Sequence, residues 1–148
     1  MPAIKSALVV DDDPLVRGTI CAALSGIGIQ PIEAGDGRSA SDLAGRCQFE
    51  LVISDLFMPH MDGLELISDI RKRFPNARFI LTTGGGGMFP LRGSGIRNLE
   101  DMARLLGASL VLHKPFRRTE LWAAIKSLES PTEWELRRSS ALAARPSD

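Results

Sequence analysis

The sequence predicts a doubly wound α/β sandwich, a five-stranded parallel sheet with helices on both faces. Two patterns in the 148-residue chain point there. Short apolar runs recur five times without alternating, as strands buried on both faces do. Each run is followed by apolar residues at i, i+3, i+4, i+7, the stripe of a helix resting on the sheet.

Taken in order, the first run is "ALVV" at 7–10, followed by the stripe Val16, Ile20, Ala23, Leu24 and Ile27. "IQPIE" at 29–33 is the second run, with Ala40, Leu43, Ala44 and Cys47 after it; that spacing reads Cys47 as a reduced core thiol. Third comes "LVIS" at 51–54 with Leu66, Ile67, Ile70 and Phe74. "RFILT" at 78–82 precedes Leu99, Met102, Ala103 and Leu106, and "SLVLH" at 109–113 precedes Leu121, Ile125 and Leu128. Pro31 lies inside the second run, and proline removes a ladder donor, so that strand belongs at a sheet edge. An edge position fits the flavodoxin-like strand order 2-1-3-4-5 and not the six-stranded Rossmann order.

Two stretches stand outside the repeat. Residues 84–96 form a long glycine-heavy connection without the Gly-Lys-Ser/Thr ending of a Walker phosphate loop. Residues 129–148 follow the domain assigned to 1–128; Thr132 and Glu135 have capping-box spacing ahead of a short extra helix around 133–143 that carries Trp134 and Leu142.

Lys plus Arg and Asp plus Glu both number 18, so no basic excess points to nucleic acid. The two cysteines form neither a disulfide framework nor a paired metal motif. No stretch has the length of a membrane span, and the first apolar run is too short for a signal peptide; a cytoplasmic protein is expected.

Ligands in an open parallel sheet bind beyond the carboxyl ends of the strands, where the strand order switches. There the order 2-1-3-4-5 gathers Asp11, Asp12 and Asp13 from the first strand and Asp55 from the third, its neighbour. Thr82 and Thr83 end the fourth strand, and His113 and Lys114 end the fifth. Two like charges 4 Å apart repel by roughly 4 kcal/mol at an effective dielectric near 20. A hard divalent cation resolves that conflict, and Mg²⁺ suits a few carboxylates with waters and phosphate oxygens. A phosphoryl group on Asp55 would need a cation and a hydroxyl donor, which Lys114 and one of the two threonines supply. Asp55 therefore reads as a nucleophile and not as a solvated strand end.

The stretches "ALVVDDDPLVR", "LVISDLFMPHMDGLELI", "ILTTGGG" and "LHKPF" resemble the receiver domain of two-component response regulators over residues 5 to about 128. The resemblance implies phosphoryl transfer from a phosphohistidine to one aspartate, with Mg²⁺ required. By position Asp55 resembles the phospho-acceptor. Asp11 and Asp12 resemble the acid pair that holds Mg²⁺, with Asp12 the direct ligand and the Phe57 carbonyl a further one. Lys114 is similar to the lysine that pairs with the phosphoryl group, with a cis bond to Pro115. Counting back from the glycines and forward from Pro75, Thr83 takes the place of the switch hydroxyl ahead of Thr82. Asp13 reads as a helix cap before Pro14, Asp62 with Gly63 as a turn, His60 as a solvated loop residue, and His113 as packed toward helices. Trp122, off the core stripe, faces solvent or a partner, and Arg137–Arg138 is a solvated helix face.

Three departures stand out. Val111 occupies the position where an aromatic often moves with the switch hydroxyl. The loop at 84–96 lengthens the span from Thr83 to Lys114. Uncharged Phe57 and Gly85 stand where a charged residue would orient a hydrolytic water, which implies slow self-dephosphorylation. The function expected is that of a stand-alone receiver, not an enzyme beyond self-phosphorylation and self-dephosphorylation. Its partners are a histidine kinase or histidine phosphotransfer protein upstream and a protein docking on the fourth and fifth helices downstream. The alternatives are a phosphorylation-independent interaction module and a phosphorelay intermediate or phosphate sink. An aspartyl-phosphate hydrolase is disfavoured, since "SDLFMP" lacks a second acid two residues after the nucleophile.

Overall fold

The computed structural model describes residues 4–58, 61, 63–84, 105 and 107–129. Five parallel strands form one sheet: β1 Ser6–Val10, β2 Gln30–Ala34, β3 Leu51–Asp55, β4 Arg78–Thr83 and β5 Leu110–His113. Their order is β2-β1-β3-β4-β5, the flavodoxin-like order expected, with Pro31 on the edge strand opposite Ala7. Four helices are described: α1 Pro14–Ser25, α2 Gly37–Ala44, α3 Gly63–Arg73 and α4 Arg118–Glu129. The expected helix stripe Leu99, Met102, Ala103 and Leu106, most of the 84–96 loop, the tail helix, and the readings of His60, Asp62 and Arg137–Arg138 lie outside the described residues.

Side-chain alternation splits the core into two clusters, one on each sheet face. Leu8, Val10, Val52, Phe79 and Leu81 pack with Ala40 and Ala44 of α2 and Leu66, Ile67 and Ile70 of α3. Ala7, Val9, Leu51, Ile53 and Ile80 pack with Ile20 and Leu24 of α1 and Leu121 and Ile125 of α4. Both faces of β1, β3 and β4 are therefore covered, which is why their sequences are apolar runs without alternation.

Helix ends correct three expectations. Ile27 does not continue the α1 stripe: the helix ends at Ser25 and Ile27 is 40% exposed. Gly28 adopts φ +80°, its N–H donates to Ser25 O, and the N–H of Ile29 donates to Leu24 O. This Schellman closure swings Ile29 into the core in place of Ile27. Cys47 likewise misses the core; α2 stops at Ala44, and the free thiol is half-buried. Trp122 faces neither solvent nor a partner alone: it is half-buried, and its indole N–H donates to Ala23 O at 2.7 Å. That carbonyl belongs to the last turn of α1 and is left over because the N–H of Ile27 turns to Leu24 O. His113 is exposed at the end of edge strand β5, not packed under helices.

Candidate functional site

The strand order brings the ends of β1 and β3 together, and the acids meet there. Asp13 caps α1 by accepting from the Leu15 N–H at 2.9 Å, with Pro14 opening the helix as expected. That cap fixes the loop "DDD" between β1 and α1. Carboxylate oxygens of Asp11, Asp12 and Asp55 all lie within 4.8 Å of one another. Asp11 is 1% exposed and Asp55 8%, while Asp12 is exposed.

Asp11 is bound at every polar position. Its N–H donates to Ala34 O, its Oδ1 accepts from the Asp13 N–H, its Oδ2 from Lys114, and its carbonyl from Arg17. Lys114 Nζ lies 2.9 Å from Asp11 Oδ2 and 3.4 Å from Asp55 Oδ2. The Lys114–Pro115 bond is cis, as expected. The N–H of Lys114 donates to Thr83 O, which ties the end of β5 to the end of β4.

The electrostatics follow from this crowding. Burial raises the Asp55 carboxyl above the usual carboxylate range; the Lys114 charge pulls it down and the Asp11 charge pushes it up again. The Phe57 N–H also bonds the Asp55 carboxylate and favours its ionised form. Burial alone would depress the Lys114 ammonium, but the bond to Asp11 and the charges of Asp55 and Asp11 outweigh it and hold it above the ordinary lysine range.

Both threonines at the end of β4 are buried. Thr82 is the register partner of Asp55 and shares strand parity with Ile80, on the α1/α4 face. Its hydroxyl is the one buried side-chain oxygen without a hydrogen-bond partner among the described residues. Thr83 follows Leu81, pairs with His113 and carries an interaction of its own. Val111 packs against the α2/α3 cluster. Gly63 opens α3 hard against the site strand, where an added Cβ would lie 2.7 Å from Asp55 O.

The donor set suits Mg²⁺, since three carboxylates offer hard oxygen ligands to one point. Asp12 and Asp55 hold the freer oxygens, because both oxygens of Asp11 already accept hydrogen bonds. Arg17 was not singled out by any motif. A cation one turn into the helix that follows three acids was its only signal in the sequence.

The strand order and the acidic crevice at its switch point define a flavodoxin-like α/β protein with a carboxylate–ammonium site. Residues 7–126 match the response regulator receiver domain, and the chain belongs to that family, the receivers of two-component systems. It is 36% identical over 125 residues to the probable chemotaxis protein CheY of Rhizobium etli, covering 82% of this chain and 89% of that one. It is 32% identical to the transcriptional regulatory protein PdtaR of Mycobacterium tuberculosis, over 82% of this chain and 55% of the relative. The chain thus spans about half the length of that transcriptional regulator and nearly all of the CheY relative. The structure of CheY4 of Vibrio cholerae superposes with a TM-score of 0.72 at 26% identity, over 84% of this chain and 98% of that one. Among the described residues, no helix is long and apolar enough to cross a membrane.

Proposed function

We propose that the chain is a phosphorylation-controlled receiver whose acceptor is Asp55. The observation that carries this is the convergence of Asp11, Asp12 and Asp55 with Lys114 at the sheet's switch point. An Asp55 oxygen attacks the phosphorus of a phosphohistidine on a histidine kinase or histidine phosphotransfer protein. The P–N bond breaks, the histidine leaves with the electron pair, and an acyl phosphate forms. Asp12, Asp55, Asp11 and the Phe57 carbonyl would hold Mg²⁺, which would supply positive charge to the phosphoryl oxygens. Lys114 exchanges Asp11 for a phosphoryl oxygen, and the Thr83 hydroxyl donates to another. The modified site then favours one of two arrangements of the β4–β5 side, by as much as it stabilises one over the other. Output passes to a protein partner on that side.

A second reading, an interaction module that does not switch, is favoured by Val111. Packed into the α2/α3 cluster and lacking an aromatic ring, it cannot follow the hydroxyl as an aromatic would. Acetyl phosphate with and without Mg²⁺, read by intact mass beside Asp55→Asn, decides between the two. An adduct that needs both Mg²⁺ and Asp55 supports the receiver; a folded chain with no adduct supports the module.

A further inference from the structure

We infer that Arg17 is a positioning residue for the cation site, holding the Asp11 carbonyl so that the Asp12 carboxylate faces Asp55. The inference rests on the Mg²⁺ site proposed above and adds a residue to it.

Arg17 Nη1 donates to Asp11 O at 2.7 Å, and its Nε donates to Glu33 Oε1 at 3.2 Å. One planar guanidinium therefore spans from the end of β1 to β2, a fork that lysine could not reproduce. The Cys21 thiol lies one turn after Arg17 on α1, near enough to Glu33 to feel its charge. That thiol is pushed up to about 11, first by burial and then by the Glu33 charge. The Arg17 N–H bonds Asp13 O, so both backbone and side chain of Arg17 clamp the acidic loop.

The clamped atom matters because the Asp11 carbonyl shares its peptide plane with the Asp12 N–H. Asp11 is immobilised by its own four bonds. Asp12 is exposed, and no hydrogen bond to its carboxylate is described, so the plane that Arg17 fixes is what aims it. Groups that orient metal ligands from behind commonly control affinity about tenfold or more. A cation beside a cation site also opposes Mg²⁺, which works in the opposite direction. The Arg17 side chain is 22% exposed and paired with Glu33, so that opposition is screened and orientation dominates.

Calorimetric titration of Mg²⁺ into the full chain tests this, with Asp12→Asn as the control that removes a ligand. Arg17→Gln is expected to weaken Mg²⁺ binding about tenfold while the unfolding midpoint of the chelated protein stays close to that of the unaltered chain. Glu33→Gln, which frees one arm of the fork from an exposed carboxylate, weakens binding in the same direction and by less. It decides the matter if Arg17→Gln does not fold. Unchanged or tighter Mg²⁺ binding in a folded variant overturns the proposal and leaves Arg17 a plain strut between α1 and β2. If the unaltered chain itself takes up no Mg²⁺, the receiver-site reading falls first and the role of Arg17 with it.

Discussion

Lys114 and Asp11 are joined by a 2.9 Å ion pair across 103 positions of sequence, closer than the 3.4 Å between Lys114 and Asp55. The ammonium that would neutralise a phosphorylated Asp55 is parked on its neighbour. Asp11 is almost wholly buried, so this ion pair also keeps an otherwise uncompensated carboxylate inside the protein. Breaking a fully buried pair costs about 3–5 kcal/mol. Because Lys114 is 21% exposed, Lys114→Met is expected to destabilise by about 2 kcal/mol. Urea unfolding at neutral pH measures this, and added Mg²⁺ should recover part of the loss by taking over the neutralisation of the acids.

Asp55→Asn should stabilise the chelated protein at neutral pH. Burial raises the Asp55 carboxyl in the folded state, so the folded protein disfavours its ionised form. For an acid whose folded value lies above its unfolded one, stability is greatest below the unfolded value and falls as pH rises through the folded one. The unfolding midpoint of Asp55→Asn should therefore exceed that of the unaltered chain at neutral pH, with the gap closing in the acid range. Mg²⁺ should reverse the order, since it stabilises only the protein that keeps the ligand.

Thr82 and Thr83 should respond differently to loss of the hydroxyl. Thr82 Oγ1 is buried without a partner, so Thr82→Val removes an unsatisfied group and should raise stability by up to about 1 kcal/mol. Thr83→Val should leave phosphorylation of Asp55 in place while reducing the difference in partner binding between phosphorylated and unmodified protein. If Thr82→Val abolishes that difference and Thr83→Val does not, the switch hydroxyl is Thr82.

Trp122→Phe should cost about 1 kcal/mol, because Ala23 O loses its donor at the end of α1. Equilibrium unfolding followed by far-UV circular dichroism checks it without relying on the altered fluorophore.

The three central strands were legible because they are buried on both faces: the runs at 7–10, 51–54 and 79–82 have no side facing solvent, whereas the edge strands β2 and β5 are only partly covered. Pro31 pointed to the edge, and the strand order places Asp11, Asp12, Asp55 and Lys114 at one end of the sheet. Helix ends were less legible, since turn geometry sets them and not periodicity. Gly28 at positive φ exchanged Ile27 for Ile29 in the core. The end of α2 at Ala44 left Cys47 outside it. The bond from Trp122 to Ala23 joins two helices 99 positions apart and depends on a carbonyl freed by that same turn. Arg17 escaped notice because its target is a backbone carbonyl, which no residue pattern reveals.

Borohydride trapping reads phosphoryl transfer to Asp55 at the acceptor residue itself. The chain is treated with acetyl phosphate and Mg²⁺, reduced, digested and mapped by peptide mass. Reduction of an acyl phosphate converts the aspartate to homoserine, and the account predicts that conversion at Asp55 alone, lost when Mg²⁺ is chelated. Conversion at Asp11 or Asp12 instead, or none at any acid of the folded protein, would contradict it.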